Sequence, residues 1–274
     1  MGQNRETSMH ADSFDKTFQC HVISLRKTPK KAADFFERNK STRLNFNLFD
    51  GIDGAVLSDD EAIRSGIVAR NAKHYPRGVI GCAASHLALW KQCGSGERNF
   101  IIFEDDAFIR HDFKEQVEAL ISNRDDWDIV LFAFNTDSLL DIQMARHCRF
   151  AGVFSLPFPS AAQLSIFVRE TDELRLYRLH NAFGGGCSYA ISPKGARKFM
   201  QVVFPLDNRP VFIPYWKKTL ATDTFVCWTR DMVMNRYFSQ FSSYVCFPPL
   251  VLSPNVQSTT MTSSRFGATS ASPL

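Results

Sequence analysis

The first half of the chain alternates short apolar runs with segments of helical periodicity. Residues 99–103 are predicted to form a strand, in which the continuous apolar run at 100–103 stops at three acids, as a strand buried on both faces does. Residues 111–121 repeat apolar positions at helical spacing, and Asp112 is suited to cap that helix. The full prediction for this half is strands at 18–25, 44–49, 99–103 and 127–134 and helices at 27–39, 81–92 and 111–121. Such alternation predicts an α/β sheet.

The second half has a weaker pattern, and both ends of the chain differ from its middle. Short strands are predicted at 150–154 and 188–191, and a helix at 193–203 with Pro193 in its first turn. Residues 204–247 give no clear pattern. Residues 1–17 are predicted to be a flexible arm and residues 253–274, rich in Ser and Thr, a disordered tail. With no linker or repeat between them, residues 18–252 are predicted to form one domain.

Composition narrows the class of protein. A net charge of +4, spread along 274 residues, suits an anionic small-molecule substrate and falls well short of a nucleic-acid footprint. The N-terminus has no apolar signal segment, and no apolar run approaches the roughly 20 residues of a membrane span. We therefore expect a cytoplasmic protein, with room for peripheral contact with the inner face of a membrane. The 25 phenylalanines predict a core packed with Phe side chains.

The cysteines give no sign of a metal or disulfide framework. Seven of them are scattered singly, and no two form a CxxC pair. That distribution disfavours both a zinc site and a set of disulfides, and it is typical of a protein in a reducing compartment. We expect the thiols to be free and buried.

Three consecutive carboxylates follow the apolar run at 100–103, and we call Glu104, Asp105 and Asp106 the acidic cluster. Ligands of open α/β sheets bind at the carboxyl ends of the strands. Strand alternation would point Glu104 and Asp106 to one side and Asp105 to the other. Carboxylates at such a place suit Mg²⁺ or Mn²⁺, with substrate phosphates as further ligands. A solvated acidic turn is the alternative, but the buried-type residues before the cluster and Ala107 after it favour a metal site.

Two segments rich in small residues stand before and after the acidic cluster. In GVIGCAASH, at 78–86, small residues at a helix start let backbone N–H groups approach a phosphate or ribose. His86 by itself is more typical of a hydrogen-bonded core histidine than of a ligand. The triple glycine at 184–186 precedes a strand, which fits either close approach of a ligand or a flexible hinge.

Taken in order, these motifs resemble those of the bacterial glycosyltransferases of family 25, which build lipooligosaccharide and are related to collagen galactosyltransferases. The resemblance is carried by GVIGCAASHLALW, IIFEDDA and GGGCSYAISPKGARKF, with support from VISLRKTPKKAADF, FDGIDG and FPPLV. It extends from about residue 20 to residue 257. The sequence CSY at 187–189 departs from the usual Gly-Tyr pair, which leaves the shape of that loop open.

The resemblance implies a GT-A-like fold, meaning a Rossmann-type mixed sheet flanked by helices. It also implies inverting transfer of a hexose from a UDP-sugar, commonly UDP-galactose, to an oligosaccharide or glycolipid acceptor. The acidic cluster would play the DxD role, with Asp106 and Glu104 on Mn²⁺ or Mg²⁺ and with Glu104 and Asp105 also positioning the nucleotide. The other donor contacts that the resemblance implies are Ser24, Leu25, Arg26, Asp50, Ser85 and His86.

The resemblance further implies an aspartate between the Gly-rich strand and the closing prolines, for which Asp207 and Asp223 compete. The spacing of Asp223 to Pro248 fits the pattern of the family better, and we take Asp223 as the general base of a single in-line displacement. Two other classes of function stay open: another metal-dependent transferase that uses nucleotides, and a catalytically silent relative that binds nucleotide-sugars or glycans. No P-loop or kinase motif supports phosphoryl transfer, and a glycosidase would need two separated carboxylates.

Overall fold

The computed structural model describes residues 14–72, 75–122, 124–153, 158–213, 223–226 and 229–254. The strands are β1 (Phe18–Ser24), β2 (Phe46–Asp50), β3 (Asn99–Glu104), β4 (Phe108–Ile109), β5 (Ile129–Leu131), β6 (Leu139–Ala145), β7 (Cys148–Val153), β8 (Arg175–Ala182), β9 (Ser188–Ile191), β10 (Pro210–Ile213), β11 (Asp223–Val226), β12 (Ser243–Phe247) and β13 (Val251–Leu252). The α-helices are α1 (Pro29–Asn39), α2 (Asp59–Arg64), α3 (Arg77–Ser95), α4 (Phe113–Ile121), α5 (Ala161–Phe167), α6 (Pro193–Val203) and α7 (Arg230–Met234). Two short 3₁₀ helices span Lys40–Thr42 and Gly185–Cys187.

Among the described residues, nine strands form one mixed sheet in the order β2-β1-β3-β9-β5-β12-β8-β6-β7. β1 runs parallel to β2 and to β3, and its register sets Ser24 opposite Asp50 and Ile23 opposite Glu104. β9 is antiparallel to both β3 and β5, and β8, β6 and β7 form an antiparallel edge. The carboxyl ends of β1, β2 and β3 therefore lie side by side, and the predicted α/β fold with a mixed sheet is confirmed.

Two apolar layers explain why β3 reads as a continuous apolar run. Ile101 and Phe103 face one layer together with Phe35 of α1 and Phe113 of α4, whereas Ile102 faces the other layer with α3. The Phe103 ring lies 5.5 Å from the ring of Phe113 and 6.3 Å from that of Phe35, centroid to centroid. Because both faces of β3 are covered, its sequence has no polar alternation. The Phe-packed core is confirmed.

Differences from the predicted elements lie mainly at their ends. The strand predicted at 127–134 is reduced to Ile129–Leu131, because the Phe132 amide donates to the Ser188 carbonyl at 3.0 Å and the Phe132 carbonyl accepts from Leu250 at 3.0 Å. Asp112 does precede α4, but its carboxylate accepts hydrogen bonds from Arg110 and Gln116 and does not cap the helix.

The parts of the chain with the weakest sequence pattern fold into long-range structure. Residues 204–247 include β10, β11, α7 and β12, while 214–222 and 227–228 lie outside the described residues. The predicted arm and tail fall largely outside the described residues as well, so the bounds of the domain stay predictions. Along the described stretches, no helix is both long enough and apolar enough to cross a membrane.

Candidate active site

A cleft of about 360 Å³ opens where β1 and β3 end, facing the first turns of α3. Glu104 and Asp105 line it, and so do the basic side chains of Lys27, Lys31 and Arg77. The other predicted donor contacts in its lining are Ser24, Leu25, Ser85 and His86. The cleft thus joins acidic and basic groups at the sheet edge where α/β proteins bind ligands.

Close backbone packing forms the wall of the cleft between residues 51–54 and α3. A Cβ atom on Gly54 would lie 1.8 Å from the Arg77 carbonyl oxygen, and one on Gly81 would lie 2.4 Å from the Ile52 carbonyl oxygen. The Ser85 hydroxyl accepts from the Ile52 amide at 2.8 Å and donates to the Gly81 carbonyl at 2.8 Å. Gly81 and Ser85 therefore position the loop that lines the cleft, and the close approach predicted for a ligand at Gly81 is made by this loop.

Strand alternation does not continue through the acidic cluster. The chain leaves β3 at Glu104 and turns, with the Ala107 amide donating to the Glu104 carbonyl at 3.1 Å. The Asp105 carboxylate accepts from the Ser24 hydroxyl at 2.6 Å, whereas Asp106 accepts from the Ser253 hydroxyl at 2.6 Å. Glu104 and Asp105 share the cleft described above, and Asp106 is not part of its described lining. The predicted separation of Glu104 from Asp105 is therefore wrong, because a turn has no period of two, while the charge of Glu104 still acts on Asp106.

Negative charge in the acidic cluster is only partly compensated by the protein. Burial raises the pKa of Glu104 above its usual range, against the opposing charge of Arg230. Burial and the neighbouring charge of Glu104 raise the pKa of Asp106, and burial also raises the pKa of Asp105. Carboxylates in such surroundings suit a hard divalent cation, which prefers oxygen ligands. The residues present thus fit the cation that the DxD-like motif implies.

Behind the cleft, Trp90, Tyr189, His86 and Glu104 form a hydrogen-bonded series that we call the buried chain. Trp90 Nε1 and His86 Nδ1 each lie 2.7 Å from the Tyr189 hydroxyl, and His86 Nε2 lies 3.3 Å from Glu104 Oε1. Trp90, His86 and Tyr189 are fully buried. Burial, and next the charge of Arg230, lower the pKa of His86 well below its usual range, so the ring is neutral at pH 7.

Arg230 is a buried cation next to the buried chain. Its guanidinium lies 5.6 Å from the Trp90 ring and 5.5 Å from the Tyr189 ring, centroid distances typical of cation–π contacts. A Cβ atom on Gly186 would lie 2.5 Å from Arg230 Nη2 and 3.2 Å from Glu104 Oε1, so only glycine leaves these groups their present positions. At Gly186, then, the triple glycine permits close approach of two side chains.

The side chains of Cys82, His86 and Glu104 also converge. Their donor atoms all lie within 4.8 Å of one another, a spacing that a transition-metal ion could use. Cys82 and His86 lie one helical turn apart on α3, a spacing that involves no pair of cysteines. Burial raises the pKa of the Cys82 thiol, and a protonated thiol is a poor ligand, which disfavours a metal ion between Cys82 and His86. Of the six cysteines described, all are free, and Cys148 is exposed, contrary to the expectation that the thiols are buried.

Arg26 and Asp50 lie in a neighbouring depression of about 400 Å³ that shares Leu25, Lys27 and Asp53 with the cleft. They form an ion pair of 2.7 Å between Arg26 Nη2 and Asp50 Oδ2, and the Arg26 side chain is 87% exposed. The structure therefore brings six of the eight predicted nucleotide contacts into one cleft and sets these two beside it.

The two candidate general bases, Asp207 and Asp223, lie at different places in the fold. Asp207 is held by Arg209 and Arg236, each with a nitrogen 2.7 Å from a carboxylate oxygen. Burial alone would raise the pKa of Asp207, but hydrogen bonds from Arg236 and Arg209 lower it. Asp207 is thus engaged as a structural carboxylate. Asp223 begins β11 opposite Ile213, and its side chain lies outside the described residues.

Sequence reasoning missed Trp90 and Arg230 as parts of the site. Trp90 lies one helical turn after His86, so the two share a face of α3, and this spacing was a readable signal. Arg230 lies in the region without a clear pattern, and no local feature connects it to residues of α3 and β9. Tyr189 belonged to a motif that carries the resemblance but had no role assigned.

Comparison with known proteins gives one family. The profile described as "Glycosyltransferase family 25 (LPS biosynthesis protein)" matches residues 18–213. A glycosyltransferase 25 family member of Aedes aegypti is 26% identical over 123 residues, and procollagen galactosyltransferase 1-A of Xenopus laevis is 29% identical over 136 residues. A Haemophilus influenzae protein with a provisional glycosyltransferase name is 31% identical over 100 residues.

These alignments cover only parts of the proteins compared. They include 41%, 43% and 36% of this chain, and 20%, 21% and 36% of the respective relatives. The chain thus spans well under half the length of the curated relatives it matches. The family profile includes the acidic cluster and the Gly-rich strand but ends before Asp223 and Arg230.

Proposed function

Because the chain belongs to glycosyltransferase family 25, whose profile covers residues 18–213, we propose that it transfers a hexose, in the first instance galactose, from a UDP-sugar to a surface glycan such as lipooligosaccharide. The transfer proceeds with inversion at the anomeric carbon. The observation that carries the proposal is the cleft at the ends of β1 and β3, where the acidic cluster meets basic side chains. Galactose is supported by the names of the procollagen galactosyltransferase relatives, and the acceptor by the description of the family.

In this proposal the cleft binds the nucleotide part of the donor. Lys27, Lys31 and Arg77 supply positive charge for the diphosphate. Ser24 and Leu25 at the end of β1 contact the nucleoside together with Asp105. Arg26 and Asp50 in the neighbouring depression extend the same surface.

Asp106 and Glu104 would hold Mn²⁺ or Mg²⁺, and the charges of both act on Asp105. The Oε2 atom of Glu104 makes no hydrogen bond to a described residue and is available as a ligand. When bound, the ion supplies positive charge that offsets the charge of the departing diphosphate.

The acceptor hydroxyl then attacks the anomeric carbon on the face opposite the diphosphate. Asp223 takes the proton of that hydroxyl, a contribution of typically about 10²–10⁴-fold to the rate. If Asp223→Asn turned over normally with donor and acceptor saturating, this role would be wrong. We place the reaction in the cytoplasm, at the inner face of the membrane, where lipid-linked acceptors are accessible.

Product analysis with a panel of UDP-sugars, in Mn²⁺ and with a truncated lipooligosaccharide acceptor, tests the proposal. We expect transfer, or slow donor hydrolysis without acceptor, with UDP-galactose ahead of UDP-glucose and the N-acetylated sugars. Donor binding without any turnover would favour the silent, nucleotide-sugar-binding alternative. Transfer of a phosphoryl or nucleotidyl group in place of the sugar would overturn the proposal.

A further inference from the structure

The donors and acceptors of the buried chain fix the direction of its protons. An indole N–H only donates, so the Tyr189 oxygen accepts from Trp90. An ionised carboxylate only accepts, so Glu104 Oε1 accepts a hydrogen bond from the N–H group at His86 Nε2. In the neutral ring His86 Nδ1 is then an acceptor, and the Tyr189 hydroxyl proton points to it. Every polar side-chain atom of the three buried residues thereby has a partner.

The two oxygens of Glu104 have different surroundings. Both contacts from α3, the His86 Nε2 atom at 3.3 Å and the Cys82 thiol at 3.8 Å, are made to Oε1. Oε2 makes no hydrogen bond with a described residue, and the Glu104 side chain, 32% exposed, lines the cleft. One oxygen is thus anchored by α3, while the other has no partner among the described residues.

Arg230 supports the same arrangement from the other side. Within the described residues it forms no ion pair, and its one hydrogen bond goes to the Met234 sulfur at 3.1 Å. Its guanidinium packs on Trp90 and Tyr189, two members of the buried chain, and faces Glu104 across Gly186. The side chains that hold the Arg230 charge in place are therefore those that anchor Glu104.

We propose that Trp90, Tyr189 and His86 are positioning residues that act through Glu104, anchoring one oxygen so that the other enters the cleft in a single geometry. For the identity of the ligand that Glu104 meets, the inference rests on the proposed function. Fixing the carboxylate matters because small misplacements of a binding group cost up to about 100-fold in rate. Partners that orient a ligating group typically matter by about 10- to 100-fold.

A pair of matched tyrosine variants separates positioning from mere packing. Tyr189→Phe removes the hydroxyl in the middle of the buried chain, and Tyr75→Phe removes a hydroxyl that donates to the Asp207 carbonyl, also at 2.7 Å, outside the cleft lining. We expect Tyr189→Phe to lose more thermal stability than Tyr75→Phe, because it leaves both Trp90 Nε1 and His86 Nδ1 without their partner, so kcat is compared for the folded fractions. Tyr189→Phe alone should lower kcat by about 10-fold or more, with a smaller change in donor KM. Equal kcat for both variants would overturn the inference.

Two variants of His86 test its contact with Glu104. His86→Gln keeps an N–H donor near the position of Nε2, whereas His86→Leu removes it. We expect partial activity in His86→Gln and a loss of about 100-fold in His86→Leu at comparable stability. If the two variants were equally active, the contact from His86 to Glu104 would have no positioning role.

Nitrogen NMR of the histidine rings tests the proton arrangement without any assay of activity. The inference requires a proton on His86 Nε2, and the signals of this ring should be perturbed in Tyr189→Phe and unaltered in Tyr75→Phe. A proton on Nδ1 would contradict the buried chain as described. Should the NMR result hold while no UDP-sugar is turned over, the proposed function fails and the positioning of Glu104 stands.

Discussion

Carboxylates at two places in the sheet have opposite surroundings. Asp128, directly before β5, is fully buried, and its Oδ2 accepts from Lys198 at 2.7 Å and from the Ser242 amide at 3.0 Å. Lys194 lies 3.7 Å from its other oxygen. In the acidic cluster, by contrast, the side chains of Asp105 and Asp106 accept hydrogen bonds from neutral groups, namely the hydroxyls of Ser24 and Ser253 and the thiol of Cys187.

The difference separates carboxylates that serve folding from carboxylates that serve a ligand. At Asp128 the chain supplies its own cations, and the group ties α6 to the sheet. In the acidic cluster the raised pKa values of Glu104 and Asp106 show that the folded protein disfavours their charge. Such an arrangement costs stability and is retained where an external cation or a polar ligand completes it.

The largest expected effect is that of Glu104→Gln, which removes charge and keeps an acceptor for His86. We expect kcat to fall by about 10²–10³-fold, as when one preorganised electrostatic contact is lost. Because burial raises the pKa of Glu104, its ionised form destabilises the fold at neutral pH, and the melting temperature should stay the same or rise. Glu173→Gln, at an 81% exposed side chain, is the control. A stability loss comparable to the activity loss would place Glu104 with the structural carboxylates.

Asp128→Asn should show the reverse pattern. Removing the carboxylate leaves two lysines without their partner and weakens the tie of α6 to the sheet, so the free energy of unfolding should fall by about 3 kcal/mol. The kcat of the folded fraction should not change. Asp126→Asn, at a 61% exposed carboxylate paired with Arg124, should cost less than about 1 kcal/mol in the same denaturant titration. Reduced kcat in folded Asp128→Asn would remove the contrast between the two sites.

Gly186→Ala tests the gap between Arg230 and Glu104. The added methyl group would lie 2.5 Å from Arg230 Nη2, and the guanidinium cannot move freely because it is buried between two rings. We expect a loss of about 10-fold in kcat and a cost of about 1–2 kcal/mol in unfolding free energy. Gly96→Ala is the matched control, since its Cβ would meet nothing closer than 3.5 Å. Full activity in Gly186→Ala would show that the position of Arg230 is unimportant.

The smallest effect concerns acid stability at Asp207. Arg236 and Arg209 lower the pKa of Asp207 in the folded state despite its burial. The ionised carboxylate therefore stabilises the fold at pH values above the pKa that Asp207 has in the unfolded chain. This stabilisation is lost as the pH falls through the pKa of the folded state. The free energy of unfolding of Asp207→Asn should be about 1 kcal/mol lower than that of the wild type at neutral pH, and this difference should shrink in acid. Chemical denaturation at a series of pH values measures this. A difference that grows on acidification would contradict the assignment of Asp207 as a structural carboxylate.

The parts of the fold that were predictable from sequence are those fixed by local burial. β3 was readable because both of its faces are covered, and helix α6 was readable from Pro193 and its periodicity. The antiparallel insertion of β9 between β3 and β5 was not, since the choice of a partner strand depends on contacts far apart in sequence.

In the candidate site, too, local features were predictable from sequence and long-range contacts were not. The acidic cluster and the helix of His86 stood out by their residue types, and the resemblance placed them in one pocket. The direction of each carboxylate was not predictable, because it depends on where the strand ends and the turn begins. The buried chain joins Trp90 to Tyr189 across 99 positions, and Arg230 reaches them from a region with no local pattern.

The central claim is that the acidic cluster is completed by a cation and a nucleotide. Calorimetric titration of UDP into the wild type and into Asp106→Ala, each with and without Mn²⁺, tests it most directly. We predict that UDP binds the wild type more tightly in Mn²⁺ and that Asp106→Ala loses this dependence on the metal. Unchanged UDP affinity of Asp106→Ala in the presence of Mn²⁺ would contradict the claim.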